Sequence, residues 1–214
     1  MEIHADNIFQ SEDQLRAFVG TPADLAVAKA IDHLDKYCLA FIHRSPFVLV
    51  GTASKDGKTD VSPRGDTAGF VHVIDKNTLF IPERPGNKRV DTLSNLIENP
   101  SVGLLFLVPG FDDCLRVNGK AKVIRDQRLL EQCAVNEKIP QLGILIEVEG
   151  AMLHCAKAIR RSKLWEPESQ HDRKQLPSIG KMILEQTSDG KQIEPETIVE
   201  VDTWVEDDYK NKLY

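Results

Sequence analysis

The chain has 214 residues, enough for one domain that buries an ordinary core without disulfide or metal staples. Its 33 Asp plus Glu against 27 Lys plus Arg give a net charge of −6, which argues against nucleic acid as the main partner, since phosphate backbones select basic faces. Four separated cysteines without a C-x-x-C pair, and six scattered histidines without H-x-H or H-E-x-x-H spacing, exclude a disulfide framework and argue against a metal centre. Reduced cysteines, no basic-then-apolar leader and no apolar run long enough to span a bilayer together predict a cytoplasmic protein without a membrane partner.

Residues 11 to 44 read as helical. Ser11 is placed to cap a first helix that ends at Gly20, and Thr21 with Pro22 to start a second. Leu34, Tyr37, Cys38, Phe41 and Ile42 keep helical spacing in a third. After Pro46 the pattern turns to strands. "FVLVGT" (47–52), "TDVSPRG" (59–65), "FVHVI" (70–74), "TLFIP" (78–82), "SVGLLFLV" (101–108), "CLRVNGKAKVI" (114–124) and "LGILIEVEG" (142–150) are separated by turns and by predicted helices after Gly86 and over 126–137. Short, mostly hairpin-linked strands predict a small closed β-barrel, mainly β in an α+β chain, with runs such as "GLLFLV" lining its interior. The expected organisation is a helical extension over 1–44, a barrel domain over 45–165, and a helical, acidic extension over 166–214 packed on the same domain.

The stretch "RPGNKRVDTL" carries the sharpest chemical signal. Asn87 is a good helix cap and Val90, Leu93, Leu96 and Ile97 form one apolar stripe, which puts Lys88 and Arg89 in the first turn. Helix starts carry partial positive charge, so each cation there costs about 0.3–1 kcal/mol. One bound anion, worth about 1.5–3 kcal/mol per charge-assisted hydrogen bond, overturns that cost. The other reading has both side chains turned into water. "SPRGD" (62–66) adds a rigid, side-chain-poor backbone beside Arg64, or is a plain surface turn. Cys155 reads as a buried structural thiol, because adjacent residues of a helix do not face each other and His154 cannot activate it. No Ser-His-Asp order, carboxylate pair or P-loop is present, and no catalytic residue is assigned.

These segments resemble a family. "VSPRGD", "IPERPGNKRVDTL", "NPSVGLLFLVPG", "LRVNG" and "HCAKAIRRSKLW" are similar to the FMN-binding split-barrel proteins related to pyridoxamine 5'-phosphate oxidase, over roughly residues 40 to 165. The resemblance implies a six-stranded split β-barrel with flanking helices, a homodimer, and FMN at the dimer interface. It implies FMN contacts from Ser62, Pro63, Arg64, Asn87, Lys88 and Arg89. Pro82 and Glu83 stand where the oxidases carry a Tyr-Thr pair. Arg116 lines the groove or points outward on the alternate face. Ser162 and Trp165, in the segment 154–165, reach the flavin or belong to a basic, solvated helix. The implied activity is hydride transfer between FMN and a small substrate, with a nicotinamide cofactor or oxygen as second partner. The acidic carboxyl-terminal segment argues against pyridoxamine 5'-phosphate itself as substrate. The alternative is a flavin-, deazaflavin- or haem-binding protein of the same fold without the oxidase reaction.

Overall fold

A computed structural model describes every residue of the chain except Glu2. The N-terminal segment carries α1 (Glu12–Val19), α2 (Asp24–Ala28) and α3 (Lys36–Ile42). The Ser11 side chain accepts the Gln14 N–H and Gly20 ends α1 at φ 81°, as their residue types predict. The second helix starts later than its sequence suggests: Ala23 takes the cap position, leaving Thr21 and Pro22 outside it. Asp35 caps α3 by accepting the Tyr37 and Cys38 N–H groups, and Cys38, Phe41 and Ile42 are buried while Tyr37 is exposed.

Seven strands follow, one for each extended run: β1 (Phe47–Ala53), β2 (Thr59–Gly65), β3 (His72–Asp75), β4 (Thr78–Pro82), β5 (Ser101–Leu107), β6 (Cys114–Ile124) and β7 (Gly143–His154). Between them lie α4 (Asp91–Glu98), after β4, and α5 (Gln127–Gln132), after β6. All pairings are antiparallel, in the order β2-β1-β5-β6-β7-β4-β3. The expectation of six strands in a closed barrel is therefore corrected. The ladder is open, with β2 and β3 as unpaired edges. Side chains instead link the β2 edge to the strand beside the other edge, through two ion pairs between the end of β2 and the residues just after β4.

One core fills the concave side. Val48 and Val50 of β1 pack there with Leu104 and Phe106 of β5, Leu115 and Val117 of β6, and Ile144 and Ile146 of β7. "GLLFLV" thus lines the interior with every second residue, as the two-residue period of a strand requires. The alternate residues Leu49, Leu105 and Met152 are half-buried on the outer face. One register row of that face, Val61, Gly51, Gly103, Asn118 and Gly150, holds three glycines. The helix α4 packs against β1, β2 and β6 through Thr92, Leu93 and Leu96. Its stripe is rotated from the predicted one: Val90 and Ile97 are exposed, and Thr92 is buried because its hydroxyl donates to Asp60 Oδ2 at 2.9 Å.

The helix α5 stops at Gln132, short of 137; positive φ at Asn136 and Glu137 carries the chain through a turn instead. Strand β7 continues past residue 150 to His154, beyond a bulge opposite Asn118 and Gly119. After it come α6 (Lys157–Ser162), α7 (Ile179–Thr187) and α8 (Pro195–Asn211), the last two packed on each other. Among the described residues no helix is long and apolar enough to cross a membrane.

Gly143 sits where β7 passes the Phe80 ring, and a Cβ there would collide with that ring and stand 2.8 Å from the Ile81 oxygen. Gly143→Ala is expected to destabilise the fold by about 1–3 kcal/mol, the cost of overpacking a tight core, measured as a lower urea midpoint.

Candidate functional site

The segment between β4 and α4 differs from its sequence reading. The helix begins at Asp91, so Lys88 and Arg89 lie in the loop before it and not in its first turn. Asn87 does not cap the helix; its side-chain oxygen accepts the Arg89 N–H at 3.0 Å and closes a local turn. Val90 takes the cap position with φ 56° and makes no side-chain cap. The physical reason is visible in the charges. Asp91 occupies the first turn, where an acid belongs, and Arg89 Nε donates to its Oδ2 at 2.8 Å. The opposed-dipole penalty predicted for the two cations is therefore absent. Lys88, at φ 61°, and Val90 both hold left-handed backbone, which for a β-branched residue costs about 1–3 kcal/mol and clusters at ligand clamps.

The end of β2 faces this loop. Strand alternation puts Ser62 and Arg64 in the register rows of Val50 and Val48, on the core side, and Pro63 in the row of Leu49, on the outer side. Arg64 pairs with Glu83 through one terminal nitrogen, both side chains being largely buried. Its Nε is buried and has no hydrogen-bond partner among the described residues. Two residues on, Asp66, 1% exposed at its side chain, accepts from Arg84 Nε at 2.6 Å and from the Tyr214 hydroxyl at 2.8 Å. The Arg84 guanidinium lies over the Tyr214 ring, 5.3 Å from its centroid. Burial alone would raise the Asp66 pKa. The Thr67 N–H, the Tyr214 hydroxyl and Arg84 outweigh it and hold the carboxyl below its usual range. The same hydrogen bond to Asp66, then burial, pushes the Tyr214 phenol up.

Together, Arg64, Arg84, Lys88 and Arg89 bring four cations to this region against the carboxylates of Asp66, Glu83 and Asp91. The Asp60 carboxylate, which also acts on Arg89, brings the local charges into balance, and one guanidinium donor lacks an acceptor. An oxyanion such as a phosphate fits that donor set. Arg84, Asp66 and Tyr214 went unassigned in the sequence. Arg84 and Asp66 sit inside the motifs already singled out, whereas nothing local marks Tyr214.

The remaining predicted residues lie elsewhere. Arg116 of β6 is exposed, in the register row of Pro63 and Leu49, on the face opposite Arg64. Among the described residues its one hydrogen-bond contact is the Met152 sulfur at 4.0 Å. Ser162 bonds the Ile159 oxygen of its own helix, and Trp165 Nε1 donates to the Phe111 oxygen at 2.7 Å, tying α6 to the β5–β6 turn. One chain therefore does not bring Arg116, Ser162 and Trp165 to Arg64. Cys155 is exposed, which corrects its reading as a buried thiol: β7 ends at His154 and Cys155 sits in the connection to α6 rather than inside a helix. A His72 to Cys133 contact of 3.4 Å was not foreseen. Burial lowers the imidazole pKa and raises that of the thiol, so the pair is neutral packing and not an activated nucleophile.

Residues 34–161, more than half of the chain, match the family described as pyridoxamine 5'-phosphate oxidase. The chain belongs to the pyridoxamine 5'-phosphate oxidase family. No curated protein matches it significantly. Solved structures with a similar fold include HupZ from Group A Streptococcus, at 16% identity over 55% of this chain and 90% of that one, TM-score 0.45. A Clostridium acetobutylicum protein related to general stress protein 26 aligns at 15% identity over 54% and 83%, TM-score 0.41. The conserved hypothetical protein Rv2991 from Mycobacterium tuberculosis aligns at 14% over 70% and 98%, TM-score 0.44. At such identities the likeness concerns the fold alone. Within the family match lie Arg64, Glu83, Arg84 and the strained loop, but not Tyr214.

Because the Asp66 pKa is depressed in the fold, its stabilising contribution is complete above the ordinary carboxylate pKa of about 4 and is lost as pH falls through the lower folded value. Asp66→Asn is expected to cost about 3 kcal/mol at neutral pH, because it leaves Arg84 without its charge partner. It should also flatten the acid limb below pH ~4. Urea unfolding across that range checks both.

Proposed function

We propose that this protein is an FMN-binding oxidoreductase that transfers hydride between the flavin and a small substrate, working as a homodimer. The observation that carries the reading is Arg64 Nε, buried with no acceptor among the described residues. An unsatisfied buried donor costs about 1–3 kcal/mol, which a ligand oxygen would recover. Family membership supplies the ligand class, and the four cations around the strained loop suit a phosphate. Ser62, Pro63 and Arg64 on one side, and Asn87, Lys88 and Arg89 on the other, would hold the cofactor. FMN, when bound, supplies the two-electron chemistry; the chain supplies binding and electrostatics. A nicotinamide cofactor or oxygen would complete the electron balance.

Two features support a dimer. The half-buried outer face of Leu49, Leu105 and Met152, with Val61 at 64% exposure, is left uncovered by one chain. Arg116 also lies on that face, so only a second chain could carry it to a cofactor bound at Arg64. The acidic extension supports a substrate other than pyridoxamine 5'-phosphate. Residues 194–214 hold seven acidic and two basic side chains. Carboxylates near an incoming phosphate would repel it, more strongly in a low-dielectric groove. Incubated with pyridoxamine 5'-phosphate and oxygen, the flavin-loaded protein should form no aldehyde at an ordinary enzymatic rate, on the order of 1 per second.

Titrating protein freed of ligand with FMN and with riboflavin, followed by the flavin absorption band, tests the phosphate grip. FMN should bind more tightly, and sedimentation of the complex should show two chains. Arg64→Lys keeps the charge opposite Glu83 but removes Nε, and should weaken FMN by about 1.5–3 kcal/mol while sparing riboflavin. Equal affinity for the two flavins would refute the assignment.

A further inference from the structure

Tyr214 is held at three points by groups far from it in sequence. Its hydroxyl donates to Asp66 Oδ1 at 2.8 Å. The Arg84 guanidinium lies over its ring, 5.3 Å from the centroid. Its main-chain oxygen accepts from Lys138 Nζ at 2.8 Å. The three groups come from separate places: Asp66 just after β2, Arg84 just after β4, and Lys138 from the turn between α5 and β7. That turn is closed by the bridge between Val135 and Lys138, with Asn136 and Glu137 in left-handed backbone, which fixes where the Lys138 side chain starts.

The segment that carries Tyr214 does not itself press the residue into place. Among the described residues no other hydrogen bond or ion pair ties residues 166–214 to residues 1–162. The helices α7 and α8 close on each other instead, where the Gly180 N–H donates to Asp202 Oδ1 at 3.0 Å, and Gly180 is the one residue of the two that is fully buried. Leu176, Ile183, Val199, Trp204 and Leu213 stay exposed. An extension that buries so little is docked by the groups of Tyr214 themselves. Those groups meet their complements. The Asp66 side chain is 1% exposed; its Oδ2 receives Arg84 and its Oδ1 receives the phenol. With the carboxyl below its ordinary pKa and the phenol above, the proton stays on the tyrosine oxygen.

We propose that Asp66, Arg84 and Lys138 form a binding site for a small phenolic acid, a phenol joined through two carbons to a carboxylate, and that the chain's own Tyr214 occupies it in this structure. Asp66 selects the hydroxyl, because a ring without one would leave a buried acceptor unpaired. Arg84 covers the flat ring and Lys138 takes the oxygen at the other end as a point charge. Tyr214 is thus a tethered occupant, and a free molecule of the same outline competes with it and releases the extension. None of the six residues that would hold the flavin takes part.

The test is calorimetric titration of the full chain with 3-(4-hydroxyphenyl)propionate, which is tyrosine without its amino group. Tyr214→Ala vacates the site; Tyr214→Phe keeps the ring, removes only the hydroxyl and leaves a weaker occupant in an intact fold. Affinity for the probe should rise from the unaltered chain through Tyr214→Phe to Tyr214→Ala, by about tenfold or more overall. On Tyr214→Ala, 3-phenylpropionate should bind about tenfold more weakly than the hydroxylated probe. Adding Lys138→Gln, an exposed change, should weaken the hydroxylated probe further. Equal affinity of all three forms for that probe overturns the proposal, as does equal binding of the two probes to Tyr214→Ala, or indifference to Lys138→Gln. Flavin plays no part in these readouts, so a failure here and a failure of FMN binding at Arg64 are told apart.

Discussion

The crossed ion pairs Arg64 with Glu83 and Asp66 with Arg84 are the constraint on which the rest of the molecule depends. In the hydrogen-bonded ladder β2 and β4 stand near opposite ends, with four strands between them. No backbone pairing joins them, so the curl of the sheet is secured where these four side chains meet. Such a seam is costly to build. Charges removed from water recover their solvation only where hydrogen bonds are nearly complete. Asp66 meets that condition, with acceptor bonds from Arg84, Tyr214 and the Thr67 N–H. Arg64 does not, and its incomplete bonding is what separates a purely structural seam from one that can also receive a ligand.

The strands were legible because they are short, apolar and punctuated by turns. "TLFIP" and "CLRVNGKAKVI" fold as strands with the limits their sequences suggest. Strand number departs from expectation only where the family's six replaced the seven runs present in the chain. The loop before α4 was illegible for a different reason. A β-branched residue is the last choice for left-handed backbone, so nothing in "NKRVDT" warned that Val90 would adopt φ 56° and delay the helix to Asp91. With that delay the electrostatic puzzle of Lys88 and Arg89 disappears, while the cations themselves remain in the region where they were sought.

Long-range side-chain partners were beyond reach for any single-sequence reading. Asp66 and Tyr214 are 148 positions apart, and their hydrogen bond depends on where a whole helical extension comes to rest. Face assignment fell between these extremes. The two-residue period already implies that Ser62 and Arg64 share one side of β2 and Pro63 the other. Placing Arg116 on the Pro63 side requires the register through β1 and β5, which only the folded chain supplies.

The glycine row of the outer face bears on shape rather than charge. Over Gly51 and Gly103 no side chain rises from the sheet and the peptide groups are engaged with neighbouring strands, and Asn118 closes this bare stretch off from Gly150, its amide nitrogen 3.6 Å from where a Gly103 Cβ would stand. A body laid on that stretch meets backbone that is already hydrogen-bonded and, at one end, an amide that can donate or accept, so contour and one polar contact together select it. Neither contribution needs a charged group, so both would persist at salt concentrations that screen ion pairs.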